Sequence, residues 1–177
     1  MSANELRFQT IRQITERKPV AKELFVKTGV LSEKELESRF ETYAEQYIRV
    51  IEMEAKLVIS MTKTLIYPAV LRHLSEISGA IASLKTIGLP FETANVELIS
   101  DLTSKMMNTV GELSSALAAH DFATTEDHMQ YCAKTLRPLM DRVRGYADTL
   151  EDEIADDLWP LPKYQEMLFI QEMLFIK

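Results

Sequence analysis

Residues 32–88 read SEKELESRFETYAEQYIRVIEMEAKLVISMTKTLIYPAVLRHLSEISGAIASLKTIG, and their pattern decides the fold. Ser32 precedes Glu35 at the spacing of a capping box, in which the hydroxyl accepts from the Glu35 amide while the glutamate reaches back. Leu31 and Leu36 sit where a hydrophobic staple would close. From there Leu36, Phe40, Tyr43, Tyr47, Val50, Ile51, Leu57, Val58, Met61, Leu65 and Ile66 recur at steps of three and four, the period of an α-helix with an apolar face. Gly88 follows the last apolar residue, Ile87, and precedes Pro90, a pattern that ends a helix. The spacing predicts one helix of about 55 residues, spanning roughly 80 Å at about 1.5 Å per residue. Pro68 lies within it, removes one backbone donor and crowds the preceding turn, so a kink is expected between Ile66 and Val70. Leu71, Leu74, Ile77, Ile81 and Leu84 then resume the stripe.

Outward from this element the chain stays helical. Leu6, Ile11 and Ile14 follow a loose helical pattern, and Pro19 opens a short helix that Gly29 closes, giving an N-terminal leader over 1–31. A second long helix is expected over about 93–120, with Val96, Ile99, Leu102, Met106, Val110, Leu113 and Leu117 on one face. Thr124 or Thr125 then caps a third, over about 125–157, that gathers acidic residues in its first turn. Its apolar residues Met129, Cys132, Leu136, Leu139, Val143, Tyr146 and Leu150 alternate in steps of three and four, as in a coiled-coil seam. Pro138 implies a second break near Lys134 to Leu136. Around Ile154 the stretch Glu151 to Asp157 is rich in carboxylates, and Trp159-Pro-Leu-Pro-Lys-Tyr comes after it. The sequence Gln-Glu-Met-Leu-Phe-Ile stands next, at 165–170, and is copied at once at 171–176, forming an apolar tail over 158–177.

The expected architecture is therefore all-α. It is an elongated helical bundle of three long helices built on the kinked helix, occupying 32–157, with a short helical leader and an apolar C-terminal tail. The helix over 93–120, about 28 residues, returns only to around residue 60 of the long one, by the same rise per residue. Phe40, Tyr43, Tyr47 and Ile51 are then expected to stand bare unless the N-terminal leader, another subunit or an absent domain covers them, and to act as an interaction surface. Trp159, Leu161, Tyr164, Leu168 and Phe169 form the matching expectation at the other end.

Composition narrows the function classes. The chain has 177 residues, 46% apolar and 27% charged, with 5 Gly and 6 Pro, enough for one domain with a real core. A formal charge of −7 argues against a nucleic-acid footprint, which needs clustered Lys and Arg. No apolar run approaches the roughly 18 residues of a membrane span, and Met1 to Thr10 lack the core of a signal peptide. The single cysteine, Cys132, sits on an apolar stripe and reads as a small buried hydrophobe, which points to a reducing, cytoplasmic setting.

Chemistry is sparse. A ferritin-like metal site needs Glu-x-x-His on two helices, and neither His120 nor His128 has a glutamate three residues before it. His73 with Glu76 is in the reverse order and reads as a surface helix pair. Glu52 and Glu54 lie near the apolar seam, as a boundary position or an intersubunit ion pair. Phosphate loops, nucleophile elbows and dinucleotide fingerprints are absent. No catalytic residue, cofactor site or metal ligand is therefore expected in this chain.

Two stretches resemble a known family, the type III glutamine synthetases. One is Gly29-Val-Leu-Ser-Glu-Lys-Glu-Leu-Glu-Ser-Arg-Phe-Glu, continuing through Tyr47-Ile and Glu54-Ala to Ile66-Tyr-Pro-Ala. The other is Asp157-Leu-Trp-Pro-Leu-Pro-Lys-Tyr-Gln-Glu-Met-Leu-Phe-Ile. The duplicated hexapeptide departs from the family's usual ending, and the resemblance is read from about Lys18 onward, with Met1 to Arg17 expected to lie outside it. The resemblance implies the C-terminal helical region of a glutamate–ammonia ligase, apart from its ATP-dependent active site, so no catalytic residue carries over. Because the family assembles into stacked rings, the resemblance further implies a role in packing subunits or bracing a catalytic domain. The implied partners are a second copy of the chain, as a homo-oligomer, or the catalytic domain of the same enzyme. The competing class is a free-standing helical adaptor or sensor-like bundle that binds a protein partner. A metal-dependent bundle enzyme has least to recommend it.

Overall fold

The computed structural model describes residues 24–119 and 121–162. The described residues form helices and turns without strands. The long helix is present, 54 residues in all. It comprises α1 (Glu33–Met61), a π-helical turn (Thr62–Ile66) and α2 (Tyr67–Thr86). It is followed by α3 (Ala94–Leu117), α4 (Thr125–Tyr131), a second π-helical turn (Cys132–Leu136) and α5 (Arg137–Glu153). Among these residues no helix is long and apolar enough to cross a membrane. The expected leader helices up to residue 23, His120, and the tail from Lys163 onward lie outside the described residues.

The helix ends obey local chemistry. The Ser32 amide donates to Glu35 Oε2 at 2.8 Å and the Glu35 amide to Ser32 Oγ at 3.3 Å, the reciprocal pair of a capping box. At the far end Gly88 takes φ +76°, Leu89 N–H donates to Leu84 O, and Gly88 N–H donates to Lys85 O. This is a Schellman stop, in which a left-handed glycine lets the last carbonyls be satisfied. Thr124, not Thr125, caps α4: its Oγ1 accepts from the Asp127 amide at 3.1 Å. Two helices stop short of their expected ends. On α3, Ala118 and Ala119 bond three residues back and tighten the last turn. On α5, the turn at Ala155 to Leu158 redirects the chain ahead of Pro160.

Both internal prolines are met in the same way. Each is preceded by a π turn that ends two residues before it, at Ile66 before Pro68 and at Leu136 before Pro138. Tyr67 N–H reaches back five residues to Thr62 O, and Arg137 N–H reaches Cys132 O. Widening the turn routes the backbone bonds around the missing proline donor, so the helix runs on. Thr62 and Cys132, the paired first residues of these turns, are both buried.

The contacts divide the chain into two compact units, Met1–Leu57 with Glu112–Asp141, and Val58–Gly111 with Arg142–Lys177. In the first, the buried side chains include Ala44, Tyr47, Ile48, Ile51 and Ala55 of α1, with Leu113, Met129, Cys132, Leu136 and Met140. In the second, Ile66, Val70, Ile99, Met106, Val110, Val143, Leu150, Ile154 and Trp159 form one apolar cluster. Two of its buried threonines are satisfied locally: Thr103 and Thr109 donate to the carbonyls of Ile99 and Lys105 on their own helix.

Candidate interaction surface

In the first unit, α1 presents two different apolar faces. One is spent on the unit's interior, and it contains two residues expected to be bare: Tyr47 is 5% and Ile51 1% exposed. Their burial corrects the expectation, which matched the long helix only against its immediate successor in the chain. The start of the last helix also comes alongside. His128 Nε2 of α4 lies 3.1 Å from Glu52 Oε1. The Phe122 ring stacks on His128 with centroids 4.2 Å apart, and Tyr131 Oη donates to Ala116 O at 3.0 Å. Glu52 therefore has an intrachain partner, where the sequence left an intersubunit pair open.

Burial also settles the chemistry of two titratable groups in this unit. Desolvation, with a smaller push from Glu52, raises the Cys132 thiol to about 12. Desolvation likewise raises the Tyr47 phenol to about 12. Both stay neutral near pH 7, which suits packing and disfavours nucleophilic chemistry. Among the described residues no three of His, Cys, Asp and Glu gather as a metal site would require. In the second unit an open groove of about 380 Å³ runs between α2 and α3, lined by Tyr67, Leu71 and Leu74 and by Thr103, Met107 and Asn108. Its lining offers hydroxyls and an amide but no charged group.

The second face of α1 is turned to solvent. Tyr43 is 58%, Met53 64% and Leu57 57% exposed, and Val50 between them is half-buried. With half-buried Leu36, the residues Leu36, Tyr43, Val50 and Leu57 succeed one another at intervals of seven, and Met53 lies three beyond Val50. On a helix this spacing draws a single narrow stripe, the kind that accepts a partner helix. Of the residues singled out from sequence, Tyr43 belongs to this stripe and Phe40 borders it, half-buried. Sequence reading missed Met53 and blended Val50 and Leu57 into the buried stripe; their strict seven-residue spacing was the available signal.

At the other end Trp159 is 8% exposed and belongs to the apolar cluster of the second unit, with Leu161 packed against it. These two are core contacts of their own chain. Tyr164, Leu168 and Phe169 lie outside the described residues.

Residues 4–85 match the family model described as the glutamine synthetase C-terminal domain, so the match takes in residues 4–17, which the resemblance read from the sequence had left out. A type-3 glutamine synthetase of Dictyostelium discoideum is 28% identical, over 84% of this chain and 21% of that protein. A glutamine synthetase of Bacteroides fragilis is 26% identical, over 79% of this chain and 20% of that protein. One of Butyrivibrio fibrisolvens is 24% identical, over 83% and 22%. The chain thus spans about a fifth of the length of the curated relatives it matches. By sequence it resembles the C-terminal region of a glutamine synthetase, and of the type III family in particular.

Proposed function

We propose that this chain is a structural and assembly module of a glutamine-synthetase-like enzyme, without catalysis of its own, working in the cytoplasm as part of a homo-oligomer. The observation that carries this reading is the match of residues 4–85 to a C-terminal domain of that enzyme family. On this reading the ligation of glutamate and ammonia belongs to the rest of the enzyme, and this part packs subunits or braces the catalytic domain. The solvent-facing stripe Tyr43, Met53 and Leu57 supports it, because an exposed apolar helix face of regular spacing is what a packing module needs.

Sedimentation of the purified chain, alone and mixed with the catalytic part of a type III glutamine synthetase, tests the reading. Self-association or binding is expected, and a chain carrying Met53→Glu and Leu57→Glu should lose at least about tenfold in affinity, since charge in an apolar seam forfeits more than about 1.4 kcal/mol. A monomer at every concentration that also ignores the catalytic part would sink the proposal.

A further inference from the structure

The exposed charges of α1 change sign along its length. From Glu33 through Glu45 they are five glutamates against Lys34 and Arg39, and beyond Glu45 they are Arg49 and Lys56, both positive. Glu52 and Glu54 are half-buried in that second part, and Glu52 holds His128. A helix that is acidic toward one end and basic toward the other is complementary to a reversed copy of itself.

The apolar stripe and the charges share a centre. Its two exposed ends, Tyr43 and Leu57, are roughly 21 Å apart along the axis, with Val50 midway. Glu45 and Lys56, both exposed, have their midpoint within one residue of Val50. Eleven residues make three turns, so these two stand on one side of the helix. Arg49 and Lys56 lie four before and three after Met53, which places the charges along the edge of the stripe that Met53 borders. A two-fold axis through Val50, perpendicular to the helix, lays a second α1 antiparallel on the first and brings each edge against the same edge of the other copy. Tyr43 of one copy then comes level with Leu57 of the other, Val50 meets Val50, and Glu45 comes level with Lys56 twice over. A parallel pair would set acidic half beside acidic half and gain neither charge contact. Glu45 already meets Arg49 of its own helix at 3.2 Å, but the two side chains are 56% and 78% exposed, so the carboxylate is reachable from solvent.

We propose that the α1 stripe docks on α1 of a second copy of this chain, antiparallel and centred on Val50, with Tyr43, Val50, Met53 and Leu57 in the seam and Glu45 paired with Lys56 across it. This pairing rests on the assembly role proposed above and names the occupant of the stripe. The seam supplies the attraction, and the two charge pairs set direction and register.

Sedimentation equilibrium of the full chain from about 1 μM to about 1 mM, beside three charge variants, tests it. Glu45→Lys alone and Lys56→Glu alone should each weaken self-association about tenfold, because each turns both facing pairs into like-charge pairs. Both changes on one chain should restore the association to within about threefold of the original, since every facing pair is then opposite again. The two positions are exposed, so the variants keep the fold, and circular dichroism checks that they do. A chain that associates but ignores the single changes, or whose double variant stays as weak as the singles, would overturn this pairing and leave the assembly role standing. A chain that is monomeric throughout but binds the catalytic part of a type III glutamine synthetase would also overturn it, and would assign the stripe to that part. Indifference to both would remove the assembly role as well.

Discussion

The thiol of Cys132 shows what burial does to a reactive group: with its pKa pushed up to about 12, it is almost wholly protonated at pH 8. Alkylating reagents should leave it untouched in the folded chain at that pH and modify it fully in denaturant, which mass spectrometry reads directly. A helix terminus shows the opposite sign. The Ser32 amide and hydroxyl both donate to the Glu35 carboxylate and hold it below its ordinary value of 4.5. A carboxyl whose folded pKa is lowered stabilises the fold at any pH above its unfolded value, and that contribution fades as pH falls through the folded one. The capping box is therefore intact at neutral pH and is lost only as pH falls through the lowered folded value. Carboxyl NMR of a Ser32→Ala chain should find the Glu35 titration moved up toward the ordinary value; an unmoved titration would mean that the cap does not act on it. Both residues were readable in the sequence, because a cap is written within four positions and a buried cysteine lies on the stripe it joins. His128 was not. Its pair with Glu52 and its stack on Phe122 depend on how the chain folds back, and nothing local marks either contact.

The long helix starts and stops where short-range chemistry says it should, and glycine positions allow that to be measured. Gly88 sits at φ +76° with open space around a built Cβ, so Gly88→Ala meets no clash and suffers only the left-handed backbone cost, about 1–2 kcal/mol. Gly79 lies inside α2, likewise with open space, and Gly79→Ala should stabilise by about 0.5–1 kcal/mol through helix propensity alone. Urea unfolding of the two variants should therefore shift in opposite directions. The prolines behave differently. Their positions foretell a disturbance at Pro68 and Pro138, but not its form. The widening of the turn ahead of each proline is not marked by the proline itself, and Thr62 and Cys132 are both buried at the point where the turn widens. The balance of helix lengths misled for a related reason. It compared the long helix with one neighbour, whereas Met129, Cys132 and Leu136 of the last helix are buried in the same unit as Tyr47 and Ile51.

At the largest scale, the long helix and α3 each contribute residues to both compact units. The helical class of the chain was legible throughout, because period and caps repeat in every segment. Which apolar face is spent inside and which is left facing solvent was not, since α1 carries both and periodicity alone cannot rank them. The same division equips the molecule to be watched from within. The only tryptophan, Trp159, is buried in the core of the second unit, and the only cysteine is buried in the first. Each unit thus carries its own natural reporter. Trp159 should fluoresce at short wavelength in the native chain and shift to the red when its unit opens, while Cys132 becomes labelled only when the other does. Coincident denaturant midpoints would mean that the shared helices weld both units into one cooperative structure, and separated midpoints would show which gives way first.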